Sequence, residues 1–232
     1  MRTNLVETES TQLTVFHRWF RRSSELDAAL TAHPDAARIG LGARELGEVV
    51  TDHRTSWVRR HRLADLDVFA KTYDYPGLGD RLRGVLRTTV LAPGRARREA
   101  QALDWLAREG FPAPSVLGIA EVRRRGWLRR SILFLSAWPG RRIDQLLLGL
   151  GDARRDRLIA ATWRFVDELH AAGFVDGNLD PRNLLARPVG EDFELTKIDS
   201  PRHRRFGRGR APARAIAADR ARLAAQFPLP TR

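Results

Sequence analysis

From residue 168 to residue 199 the chain reads ELHAAGFVDGNLDPRNLLARPVGEDFELTKID. A helix is expected to close at Leu169-His170, with Gly173 allowing a tight turn after it. Residues 176–183 are polar and carry Gly177 and Pro181, so they read as an exposed loop. The apolar pair Leu184-Leu185 then opens a short strand, and a second strand over residues 195–199 ends in the acid Asp199. Asn183 and Asp199 lie sixteen residues apart, which leaves room for a hairpin. Met singly, an asparagine in a loop or an aspartate at a strand end is a common turn residue. Their conjunction with Gly177, Pro181 and Leu184-Leu185 gives the segment its weight.

Around this segment, composition sets the limits. A chain of 232 residues can bury a real core, as one domain of two lobes or as two small domains. Hydrophobic residues make up 43% with no long low-complexity tract, which argues for a folded protein. Cysteine is absent, so disulfides and thiolate metal sites are excluded. The clearest apolar run, Ile132-Leu133-Phe134-Leu135, is far too short to span a bilayer. The opening MRTNLVETESTQ is polar and acidic, unlike a signal peptide, so a cytoplasmic protein is expected. A net charge of +13 favours anionic partners: nucleic acid, phosphorylated sugars or an acidic membrane face. Of the 41 basic residues only Lys71 and Lys197 are lysine, and the rest are arginine. We read that bias as the mark of a GC-rich genome, which makes the two lysines the informative cations.

Leu13, Phe16, Trp19 and Phe20 fit an amphipathic helix with Arg18, Arg21 and Arg22 on its basic face, so residues 1–47 are expected to form a helical N-terminal extension. Strand-like runs follow at residues 48–50, 56–58 and 66–73, the last with the alternation LDVFAKTY. Gly77, Gly79 and Gly84 mark a loop. Pro93-Gly94 opens a helix that Gly110 stops, with Ala96, Ala100, Leu103 and Leu106 as its buried stripe. Residues 115–120 and 131–137 read as strands flanking the basic turn EVRRRGWLRR, and residues 152–170 as a long helix. After Asp199, PRHRRFGRGRAPAR reads as a mobile basic loop before a last helix from about residue 213. No internal repeat is present.

Residues 176–185, DGNLDPRNLL, with Asp199 resemble the catalytic loop and metal-binding strand of the protein-kinase-like fold, H-G-D-L-x-P-x-N-[IL]-L followed by [IL]-D. The resemblance implies an α+β fold of two lobes: a small β-rich N-lobe with one helix over residues 48–137, and a short helical C-lobe over residues 138–232. It implies ATP and Mg²⁺ as cofactors, with Asn183 and Asp199 as the metal ligands. The lysine that such proteins set on the phosphates falls at Lys71, in Val68-Phe69-Ala70-Lys71. Taken alone, Lys71 reads as a solvated strand residue. In a chain that otherwise uses arginine, its position calls for a point charge rather than a guanidinium fork. Glu99, in the R-x-x-x-E-x-x-x-L pattern of residues 95–103, is its implied partner, with Asp104 and Glu109 as competitors. Adenine is expected between the lobes, near Ser136 and Trp138 and over Leu185.

Three departures accompany the resemblance. Asn178 occupies the catalytic Asp position and cannot accept a proton as a carboxylate does, a loss typically of about 10²–10⁴-fold. The flanking Asp176 and Asp180 are offset and point elsewhere. The phosphate-covering hairpin expected over residues 52–58, DHRTSWV, holds no glycine, leaving the Thr55 and Ser56 hydroxyls as its polar contribution. Asp199-Ser200-Pro201 lacks the Phe and Gly of D-F-G.

The pattern VFAKTYDYPG, a glycine-bearing loop, then RARREAQALDWLAREGFPAPSVLG is similar to the lipopolysaccharide kinases, the Kdo/WaaP family. That resemblance implies an anionic glycolipid or phosphosugar as acceptor and peripheral contact with the anionic inner face of the membrane, which the basic segments at Arg123-Arg124-Arg125, Arg129-Arg130 and residues 202–210 suit. The same segments also read as solvated turns. No stacking pattern or nucleic-acid motif accompanies the charge, which argues against nucleic acid. Two functions stay open: a phosphotransferase acting on a sugar hydroxyl with impaired catalysis, or a pseudokinase that binds nucleotide or serves as a scaffold.

Overall fold

Why residues 66–74 form a strand is visible in what they bury: Val68, Ala70 and Thr72 alternate inward, as a pleat requires. The computed structural model describes residues 15–75, 94–124 and 127–229. Its strands are β1 (Val15–Arg22), β2 (Glu48–His53), β3 (Ser56–Leu63), β4 (Leu66–Asp74), β5 (Val116–Arg124) and β6 (Trp127–Ser136), which form one antiparallel sheet in the order β1-β5-β6-β4-β3-β2. Helices α1 (Ser24–Thr31) and α2 (Ala36–Gly40) bury Leu26, Leu30 and Ile39 against Val68, Ala70, Ile132 and Phe134. A Cβ on Gly118 would lie 2.6 Å from Leu26 and 3.0 Å from Trp19, so β5 admits α1 and β1 this closely only because it has no side chain there.

The helix expected around Phe16, Trp19 and Phe20 is instead strand β1, and Leu13 lies outside the described residues. The pairing of β1 with β5 shifts register between Trp19 and Arg21, so the strand does not show the plain alternation of two that would have marked it in the sequence. Here Trp19 packs on Phe134 at 5.2 Å, and β5 supplies the hydrogen bonds. Ser23 ends the strand and caps α1, its hydroxyl accepting from Leu26 N at 3.2 Å. The loop expected at Gly77, Gly79 and Gly84 also lies outside the described residues.

Two compact units divide the chain: residues 1–100 with 114–137, and residues 101–113 with 138–232. Helix α3 (Arg95–Arg108) contributes to both. In the second unit α5 (Asp152–Ala171) buries Leu158, Ile159, Phe165, Val166 and Leu169, preceded by the short α4 (Ile143–Leu147). Strands β7 (Arg141–Arg142), β9 (Leu184–Val189) and β10 (Asp192–Lys197) pair in the order β10-β9-β7. The hairpin expected between Asn183 and Asp199 is β9–β10.

Strand β8 (Phe174–Val175) pairs with β11 (Arg204–Arg205), and α6 (Ala213–Ala224) closes the chain. The basic segment after Asp199 therefore differs from the expected mobile loop: besides the β8–β11 pair, Phe206 N donates to Gly173 O and Gly209 N to Ala171 O, both at 2.8 Å. No helix among the described residues is long and apolar enough to cross a membrane.

Candidate functional site

In the first unit β4 sets Lys71 opposite Val58 of β3 and Leu133 of β6. Its Nζ lies 3.0 Å from each oxygen of the Glu99 carboxylate on α3. Glu99 is 1% exposed, and Lys71 keeps 16% of its side chain exposed. A carboxylate that deep in the protein needs a cation and further donors to remain charged. The Tyr73 hydroxyl is such a donor, bonding Glu99 Oε2. Tyr73 escaped the sequence reading, although two residues along a strand from Lys71 it had to share that face. The competitor Glu109 pairs with Arg208 at 2.9 Å instead. Residues 52–58 do form a hairpin, β2–β3, turning at Arg54-Thr55, with Thr55 and Ser56 half-buried. The Ser136 hydroxyl accepts from Ser115 N at 2.9 Å.

The second unit holds the polar loop. Asp219 on α6 accepts from Asp176 N at 2.8 Å and from Gly177 N at 2.9 Å, and His170 Nε2 lies 3.4 Å from the same carboxylate. His170 thus packs at the end of α5, as its place in the sequence suggested. Asp219 was missed, yet it is the single acid after Asp199. A lone carboxylate in an arginine-rich tail was the available signal.

Within the loop, Asp180 caps a 3₁₀ turn (Pro181–Asn183). It accepts from the Arg182 backbone at 3.0 Å and from the Arg182 guanidinium at 2.9 and 2.8 Å. The guanidinium holds the Asp180 carboxyl down at about 2. Asp176 lies 3.2 Å from Lys197 Nζ, the two being 2% and 0% exposed. Neither carboxylate oxygen receives a well-aligned hydrogen bond, so the pair is held by charge. Burial pushes the Asp176 carboxyl up, and Lys197 opposes it. Both acids beside Asn178 are thus committed to partners of their own.

Asn178 itself is half-buried, and its carbonyl lies 3.5 Å from Asn183 Nδ2. The Asn183 carbonyl accepts from Ile198 N at 2.9 Å, tying the loop to the residue before Asp199. Asp199 adopts a left-handed backbone with φ +58°. Among the described residues no group of three or more His, Asp or Glu side chains could hold a metal. Asn183 and Asp199 offer two hard oxygen donors, which suits Mg²⁺, an ion that keeps waters and takes its other ligands from phosphates. Trp138 covers Gly140, where a Cβ would fall 1.9 Å from its ring, and the Arg187 guanidinium sits 5.6 Å above it. Leu185 is half-buried opposite Thr196 and Arg142.

The model of the lipopolysaccharide kinase (Kdo/WaaP) family matches residues 44–229. The chain belongs to this family. Among solved structures it is similar to WaaP in complex with acyl carrier protein, with a TM-score of 0.59 and 20% identity over 89% of this chain and 80% of that one. Monomeric WbdD gives a TM-score of 0.49 and 14% identity over 83% of this chain and 51% of its own. No curated protein matches in sequence. The fold is kinase-like, with mixed α and β structure. Against the motif H-G-D-L-x-P-x-N-[IL]-L this chain carries Asn178 at the Asp position and Asp176 at the His position.

Proposed function

We propose that this protein transfers the γ-phosphoryl group of ATP, with Mg²⁺, to a sugar hydroxyl of an anionic glycolipid, and that it does so slowly. The observation that carries the reading is the ion pair of Lys71 with the buried Glu99, braced by Tyr73. It fixes an ammonium group on a strand while leaving it partly exposed, as a phosphate ligand must be. Asn183 and Asp199 are the proposed Mg²⁺ ligands. The ion would draw charge from the phosphates. Asn178 takes the place of the base: its amide oxygen accepts a hydrogen bond from the acceptor hydroxyl and orients it without removing the proton. In a loose transition state the proton leaves late, to water or to an oxygen of the transferred phosphoryl group, so orientation retains part of the catalysis. Thr55, Ser56, Ser136, Trp138 and Leu185 are the proposed nucleotide contacts. The site of action we infer is the cytoplasmic face of the inner membrane.

The test is transfer from γ-labelled ATP to lipid A–core oligosaccharide. Slow Mg²⁺-dependent transfer is expected, lost in Lys71→Met and raised by roughly 10²-fold or more in Asn178→Asp. A pseudokinase reading is favoured by one observation, the β2–β3 hairpin without glycine, whose backbone cannot approach phosphates closely. Nucleotide binding with no transfer in either the wild type or Asn178→Asp would select it.

A further inference from the structure

Two of the chain's 41 basic residues are lysine, and each is set on a buried carboxylate. Lys71 keeps part of its side chain exposed and can meet a phosphate. Lys197 cannot: its side chain is 0% exposed, so its partner Asp176 and the backbone around it are all that it touches. Desolvation cancels most of what two buried charges gain from each other, and a well-packed apolar pair at such a position is commonly as stable or more so. Stability therefore does not account for the pair.

Its placement does. Asp176 stands two residues before Asn178, and Lys197 two residues before Asp199, where β10 ends. The backbone of Asp176 and Gly177 is already held by Asp219. Lys197 is the last residue of the β9–β10 ladder, opposite Leu184. Beyond it one backbone bond, Ile198 N to Asn183 O at 2.9 Å, precedes the left-handed turn at Asp199. That conformation is uncommon outside glycine and persists where the surroundings fix it. Lys197 Nζ donates to Ile198 O and lies 3.2 Å from Asp176 Oδ2. One ammonium group thus joins the peptide that leads into Asp199 to the residue that leads into Asn178.

We propose that Lys197 and Asp176 are positioning residues: their ion pair fixes the Ile198–Asp199 peptide against the polar loop and so sets the Asp199 carboxylate beside Asn183 for Mg²⁺. The inference rests on the reading of Asn183 and Asp199 as the metal ligands. Groups that orient a metal ligand without touching the ion typically change metal affinity by about ten- to a hundredfold.

The test uses Asp176→Leu/Lys197→Met, which removes the pair without stranding a charge, and Asp176→His/Lys197→Met, in which an imidazole N–H can donate to Ile198 O in place of the ammonium. Calorimetry measures ATP affinity over a series of Mg²⁺ concentrations. Hydrogen exchange of the Ile198 amide is followed in the protein free of metal and nucleotide. The first variant is expected to unfold in denaturant near the wild-type midpoint, yet to need about ten- to a hundredfold more Mg²⁺ for the same ATP affinity. Its ATP affinity without Mg²⁺ should be unchanged, and its Ile198 amide should exchange about tenfold faster or more. The second variant should recover most of both losses. A wild-type Mg²⁺ requirement or a wild-type Ile198 exchange rate in the first variant would overturn the proposal. An equal loss of ATP affinity with and without Mg²⁺ would overturn it too, as would recovery of neither measure in a second variant as stable as the first. If the wild type binds ATP without regard to Mg²⁺, the metal-ligand reading fails, and Ile198 exchange alone decides whether the pair holds the Asp199 peptide.

Discussion

Asp176 and Lys197 place a fully buried ion pair beside the loop that carries Asn178 and Asn183. Two charges removed from water this fully gain stability from each other only while both are present. Lys197→Met strands a buried carboxylate and is expected to cost about 3–5 kcal/mol in denaturant unfolding. The double variant Asp176→Leu/Lys197→Met removes both charges and should recover most of that loss. A double variant as unstable as the single one would show that packing, not charge, holds the loop. Asp180 makes a different prediction. Its carboxyl is depressed from 3.8 to about 2 by Arg182, so its contribution is present above pH 4 and is lost as the pH falls towards 2. Arg182 is 63% exposed, which keeps the contribution below about 2 kcal/mol through solvent screening. Arg182→Ala should lower stability at neutral pH by up to that amount, leave it almost unchanged near pH 2, and so flatten the acid limb of the profile between pH 4 and 2. An unaltered acid limb would contradict it.

Gly173 is where two elements depend on one residue. Its φ is +91°, and a Cβ there would meet the carbonyl oxygens of Phe206 and Gly207 at 2.4 and 2.8 Å. Gly173→Ala should therefore lose about 2 kcal/mol or more. It should also release the hydrogen-exchange protection of the Phe206 and Gly209 amides, which bond to residues 173 and 171. Normal protection in the variant would mean that β11 is held by other contacts. The same junction shows what a sequence can and cannot carry. Strand β4 and helices α3 and α5 were legible because a period of two or of 3.6, with Gly and Pro at the ends, is written locally. Lys71 and Glu99 were legible as a pair through the family pattern. Strand β1 was not, because its partner β5 lies about a hundred residues away and the spacing of Trp19 and Phe20 serves a helix equally well. Asp219 escaped for the same reason: its hydrogen bonds span 43 and 42 residues. The anchoring of residues 201–210 was hidden by its composition, which reads as a solvated loop until Gly173 and β8 supply the partners.

Across the whole molecule, nucleotide binding bears on stability. A ligand bound only by the folded protein raises its stability by RT ln(1 + [L]/Kd), or about 2.7 kcal/mol at a hundred times Kd. In a chain of 232 residues each kcal/mol moves the melting temperature by about 2–4 °C, so saturating Mg·ATP should raise it by roughly 5–11 °C. ATP without Mg²⁺ should do much less, because Asn183 and Asp199, as the proposed ligands, would reach the phosphates only through the ion. The net charge of +13 adds a background that must be separated, since any polyphosphate stabilises a basic protein to some degree. That background has no requirement for Asp199 and falls with salt. Asp199→Ala is therefore the discriminating variant: its shift should drop to the value that ATP alone produces, at every salt concentration. An Asp199→Ala protein that still gains the full Mg²⁺-dependent shift would place the metal elsewhere.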